Sequence, residues 1–241
     1  GTQALDHLTG IRTLGCLWIV CAHFAFRQPK LAFTDALLER AHLTASAFVV
    51  MSGFGMMWAH GATAAPSRSL GRWYVARLHR VLVAYWAAML LTVAVEHWAA
   101  GTVYPASRLL PCACLTATWD TSRAIPNWRL CPNGPAWYIA ALVPSWLLFP
   151  FIAPLLRQAA RLGGVPLALL VLILCLLSYL PVATVMSWPG FDKPDSNGGN
   201  LMFYFPPANL ADFYAGAAAA ALAKLHKPAV TRRLGVPDVG A

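Results

Sequence analysis

The sequence predicts an all-α protein, a polytopic transmembrane helix bundle with about six spans. Three observations carry that prediction. Hydrophobic residues make up 59% of the 241 residues and charged residues 11%, whereas a soluble globular domain carries roughly 25% charged residues. Mean hydropathy is +0.57. The apolar residues also fall in runs near the ~20 residues needed to cross a bilayer as a helix. Lipid offers the backbone no hydrogen-bond partners, so each run must bond internally.

Six runs are expected as spans, at about 10–27, 42–61, 79–98, 135–156, 164–183 and 203–223. Arg12 and Arg27 bracket the first and can snorkel to the interfaces. The third begins after Arg80 and ends near Glu96, and the fourth contains Pro144 and Pro150. The fifth carries no charge from Val165 to Leu180. The sixth holds Asp212 and an alanine-rich end, Ala215 to Ala221, suited to close helix packing. Residues 5–225 therefore read as one transmembrane domain, and 226–241 as a polar tail or truncated end. The chain opens on Gly1 without a cleavable-signal pattern, so its natural start is expected upstream.

Net charge is +9. In a membrane protein this fits Lys and Arg held on the cytoplasmic side, and it also fits an anionic ligand. No nucleic acid is expected, because the basic residues are dispersed and form no stripe. Arg12, the 2–3 and 4–5 connections and the C-terminal segment hold eleven Lys and Arg, against seven in the longer opposite loops. The positive-inside rule then puts the N-terminus in the cytoplasm.

Cys16, Cys21 and Cys175 lie in apolar runs and read as small hydrophobes. Cys112, Cys114 and Cys131 share the loop expected outside. Their spacing does not suit zinc and no His is close by, so no metal is expected. In an oxidising compartment Cys131 would pair with Cys112 or Cys114.

Ionisable groups inside spans are costly and are functional candidates by default. Arg12 and His23 are eleven residues apart. At 100° per residue this returns to within about 20° of the start, so the two share a face about 16 Å apart. They read either as an anchor plus a hydrogen-bonded His or as a functional pair. Arg77 and Arg80, three residues apart, are either positive-inside anchors or a phosphate clamp, for which Arg offers a planar fork of donors. Asp212 and Glu96 are expected at outer-half depth, like His23. A carboxylate can orient a His and stabilise its charged form, and Asp212 is the preferred partner. His42, His60, His79 and His97 read as interfacial, and Trp98, Trp128 and Trp188 as interface belt.

Five segments resemble the acyltransferase-3 family of membrane acyltransferases. Arg12, ten residues and His23 are similar to the motif of its first helix. Phe48-Val-Val-Met-Ser52-Gly53-Phe54 resembles its second-helix Phe-Phe-Val-Leu-Ser-Gly-Phe. Arg77-Leu-His-Arg80, followed by Tyr85-Trp86, resembles its Arg-x-x-Arg and Tyr-Trp pair. Pro135-Ala-Trp137-Tyr138, running to Phe149-Pro150, looks like its Trp-led helix. Pro207-Ala-Asn-Leu-Ala-Asp212-Phe-Tyr-Ala-Gly216 is similar to its Pro…Leu-Pro-Glu-Phe-x-x-Gly segment. One branch carries a Glu pair on the Trp-led helix, where Leu142 and Val143 stand here. The family usually has about ten spans, so this chain is expected to be part of a ten-span bundle.

The resemblance implies transfer of an acyl group, usually acetyl, from acyl-coenzyme A as co-substrate to a carbohydrate or lipid-linked glycan. His23 would be the base and Asp212 its partner. Arg12, Arg77 and Arg80 would hold the coenzyme's phosphates, with Ser52 lining the cavity. No tightly bound cofactor is implied. The alternatives are a transporter or flippase with an intramembrane His/Asp proton relay, and a catalytically silent scaffold.

Overall fold

The computed structural model describes residues 6–25, 42–60, 70–119, 131–187 and 204–234. They are helical throughout apart from short turns, and seven α-helices follow in order. These are α1 (Asp6–Ala25), α2 (His42–His60), α3 (Leu70–Ala100), α4 (Ala106–Ala113), α5 (Trp137–Leu162), α6 (Gly164–Met186) and α7 (Pro206–Leu234). Residues 61–69, 120–130, 188–203 and those from 235 lie outside the described set, as does Arg27.

Among the described residues four helices are long and apolar enough to cross a membrane: α2, α3, α5 and α6. The other two expected spans are helical but weaker. The apolar stretch of α1 is shorter, Leu8–Ala22, and α7 is diluted by Pro206, Pro207, Asn209 and Asp212. The α7 backbone stays helical to Leu234, into the segment read from sequence as a polar tail or truncated end. Helix α3 starts nine residues before the expected third span. Its 31 residues rise about 46 Å, roughly 15 Å more than the hydrocarbon core. Arg72, Arg77 and Arg80 therefore sit on the helix itself rather than in a loop.

The chain divides into two compact units, residues 1–61 with 212–241, and residues 62–211. In the first, α1 and α2 run antiparallel. Arg12 lies against Met51 and Gly55, and Gly15 against Thr44 and Phe48. Helices α2 and α7 run the same way, because Ser46 meets Asp212, Gly53 meets Phe213 and Ala217, and Trp58 meets Lys224. The α2–α7 crossing is backbone on backbone. A Cβ on Gly53 would fall 2.8 Å from the Phe213 carbonyl carbon, and one on Gly216 would fall 2.8 Å from that of Val50. Only glycine fits at either position, and buried Ala217, Ala218, Ala220 and Ala221 extend the close approach.

The second unit packs by side chains. Trp73 stacks on Phe149 with ring centroids 6.2 Å apart, and the Tyr74 hydroxyl donates to the Leu147 carbonyl at 2.7 Å. Helix α4 is pinned by a disulfide between Cys112 and Cys131, with Cα atoms 5.8 Å apart. All four of its orphan C-terminal carbonyls are satisfied. Cys112 and Ala113 accept from Tyr85 and Trp86, and Leu110 and Pro111 accept from the Cys114 and Thr116 amides. Tyr85, Met89, Cys112, Leu115, Ala117 and Ala140 form a buried cluster beneath. At the start of α7, the buried Ser178 hydroxyl donates to the Pro207 carbonyl and accepts from the Ala211 amide. It thus ties α6 to the first turn of α7 through both a carbonyl and an amide.

Candidate active site

Helix α1 brings Arg12 to the His60 end of α2. There Arg12 Nη2 donates to the Met51 carbonyl at 3.1 Å and lies 3.3 Å from where a Gly55 side chain would begin. Glycine at 55 opens the groove that takes the guanidinium. One of Arg12's five donors is used in this contact, and the residue is exposed.

The opposite end of the same unit holds the acid. Asp212 is half-buried and accepts a hydrogen bond from Ser46 of α2. Because α1 runs antiparallel to α2, its His23 end lies at this same end of the unit. The His23 backbone is helical, and its side chain lies outside the described set. Nine residues separate Ser46 from Gly55, so the acidic and cationic ends are about 14 Å apart along α2. Ser52 is half-buried beside the Gly53 crossing.

Arg77 and Arg80 belong to the second unit. Arg77 is half-buried, with its guanidinium carbon 5.0 Å from the centre of the Trp146 ring, while Arg80 is exposed. Glu96, the other acid weighed from sequence, accepts a hydrogen bond from Tyr104 across the turn that follows α3. Among the described residues no three His, Cys, Asp or Glu side chains converge as a metal site would require.

Sequence reasoning missed two contributors, Ser46 and Lys224. Ser46 has no motif; its signal was a hydroxyl on an otherwise apolar helix. Lys224, counted from sequence only as a topology charge, places its Nζ 5.5 Å from the centre of the Trp58 ring. Tyr85 and Trp86 read as family motif residues, and here they cap α4.

Four helices long and apolar enough to cross a membrane, with Arg12 and Asp212 held against α2 at different heights, define an integral membrane protein. The chain belongs to the acyltransferase-3 family, matching its acyltransferase domain over residues 5–236, nearly the whole sequence. That family is one of membrane acyltransferases. Comparison with curated proteins and with solved structures gives no match.

Proposed function

We propose that the protein moves an acyl group, acetyl in the simplest case, from acyl-coenzyme A to a hydroxyl of a carbohydrate or lipid-linked glycan. The observation that carries this reading is the polarity of the first unit. Arg12 stands at one end, and Asp212 and the His23 end of α1 at the other.

A sugar hydroxyl attacks a thioester slowly until a base takes its proton, and His suits that role near neutral pH. The acceptor oxygen bonds to the thioester carbonyl carbon while His23 takes the hydroxyl proton. The carbon–sulfur bond then breaks, and the departing thiolate recovers a proton from the His23 imidazolium. Asp212 stabilises that imidazolium. On the first unit Arg12 binds phosphate through charge-assisted hydrogen bonds and Ser52 lines the donor's path, while Arg77 and Arg80 offer a phosphate-binding pair within the second unit.

The N-terminus faces the cytoplasm. The excess of Lys and Arg on that side, eleven against seven, supports this orientation. The Cys112–Cys131 disulfide supports it too, since disulfides persist in oxidising compartments.

Replacing the base tests the reading. His23→Ala, assayed by release of coenzyme thiol in membranes where insertion has been verified, is expected to slow turnover about 10²–10⁴-fold. A rate near wild type would remove His23 as the base.

A further inference from the structure

Beside Arg12 the first unit presents a second cation that the catalytic reading does not use. Met51, Gly55 and Trp58 follow one another at helical spacings of four and three, so they form a stripe along one face of α2. Arg12 occupies the Met51–Gly55 part of that stripe. Lys224, arriving from α7, occupies the Trp58 part. The aromatic surface there is double, because Phe54 and Trp58 stack with centroids 5.7 Å apart and planes within 11°. Two cations from two different helices thus lie along one face of α2, Arg12 at Met51 and Gly55 and Lys224 at Trp58.

We propose that Lys224 and Trp58 are donor-binding residues which, with Arg12, form a subsite for the phosphate-bearing nucleotide portion of acyl-coenzyme A. The inference rests on the acyl-coenzyme A reading above. Phosphate oxygens call for cationic donors placed around them. Both cations lie along a single stripe of α2, and the Trp58 ring holds Lys224 on it. The α2–α7 glycine crossing fixes the height of Lys224 against Trp58, so the subsite is assembled by the closest helix contact of the unit.

The test uses the purified full chain in lipid nanodiscs, with coenzyme A and pantetheine as binding probes and their S-acetyl forms as donors. Pantetheine keeps the thiol arm and lacks the nucleotide and its phosphates. Losing one hydrogen-bonded charge to a phosphate costs about 1.5–3 kcal/mol, or roughly 10–100-fold in affinity. Lys224→Gln is therefore expected to weaken coenzyme A binding and raise KM for acetyl-coenzyme A by about that factor. It should leave kcat within about twofold and behave like wild type toward both pantetheine compounds. Lys224→Arg should recover most of the loss, and Trp58→Leu should reproduce it in part. Unchanged coenzyme A affinity in Lys224→Gln, or an equal loss toward pantetheine, would make the pair a packing staple. Phosphate-dependent coenzyme A binding by a wild-type chain that transfers no acyl group would sink the acyltransferase reading and keep the subsite. Absence of coenzyme A binding by wild type would overturn both.

Discussion

Helices α2 and α7 of the first unit touch through their backbones, whereas the second unit is held through aromatic rings and a disulfide. The difference follows from what each must hold. In lipid there is no hydrophobic drive between helices, so association depends on close packing and buried polar contacts. The first unit achieves this with Gly53, Gly216 and a run of alanines, which leaves room along the same helices for Arg12, Ser46 and Asp212. The second unit fills its contacts with Trp73, Tyr74, Tyr85, Trp86, Trp146 and Phe149. A unit built on backbone contact tolerates no added bulk. One built on side chains should tolerate it but depend on its crosslink.

The sharpest way to break that comparison is to add a methyl group. Gly53→Ala or Gly216→Ala puts a Cβ onto the facing helix backbone, which has no flexible side-chain end to move aside. Overpacking of this kind costs about 1–3 kcal/mol, occasionally more, and a backbone neighbour puts it at the upper end. Detergent melts are expected to show a large drop in Tm and loss of acyl transfer. Gly71→Ala in α3, where a Cβ meets nothing within 4 Å, should hold or slightly raise Tm, since Ala is the better helix former. Equal effects at Gly53 and Gly71 would mean that backbone contact is not what holds α2 to α7.

The second unit's crosslink comes next in size. Cys112 and Cys131 are 19 residues apart, and closing a loop of that length is worth roughly 3 kcal/mol in the chain-entropy picture. Cys112→Ser is expected to lower Tm by several degrees, and a reducing agent should do the same to wild type. Cys114→Ser should do nothing, because Cys114 is an exposed free thiol. A drop with Cys114→Ser equal to that with Cys112→Ser would show that the bridge exchanges between the two.

How much of this was legible in the sequence differs between the units for physical reasons. The spans were legible because apolar run length is set by bilayer thickness. The start of α3 was not. Arg72, Arg77 and Arg80 lower its hydropathy, yet a helix passing into the headgroup region keeps its internal hydrogen bonds and welcomes charge. The choice between Cys112 and Cys114 could not be read, since both lie within reach of Cys131; the fold decides it by burying Cys112 under Tyr85. Arg12, His23 and Asp212 stood out because charge is rare in a span. Lys224 and Trp58 did not, because only the parallel run of α2 and α7 brings them together. Ser178 shows the same limit. Nothing local marks it as the hydroxyl that meets the first turn of α7.

The smallest effect expected lies at the far end of α3 and sharpens the comparison from the side of charge. Tyr104 follows the helix in a short turn and donates its hydroxyl to Glu96. That hydrogen bond, ahead of desolvation and the nearby carboxylate charge, pushes the phenol's pKa above its usual 10. A folded-state pKa raised above the unfolded one stabilises wherever the phenol is protonated in both states. The contribution is therefore complete at neutral pH and fades as pH climbs through 10 and past the folded-state value. Tyr104 is largely solvent-facing, so the gain is screened and small. Comparing Tyr104→Phe with wild type in melts from pH 8 to pH 11 isolates it from every other alkaline titration. The two Tm values should differ slightly at the lower pH and converge at the higher one. A difference that grows with pH would mean that the hydroxyl does not serve Glu96 as a donor. The turn after α3 would then be held by its backbone bonds, Gly101 to His97 and Thr102 to Glu96, and by the His97 ring against the Thr102 carbonyl.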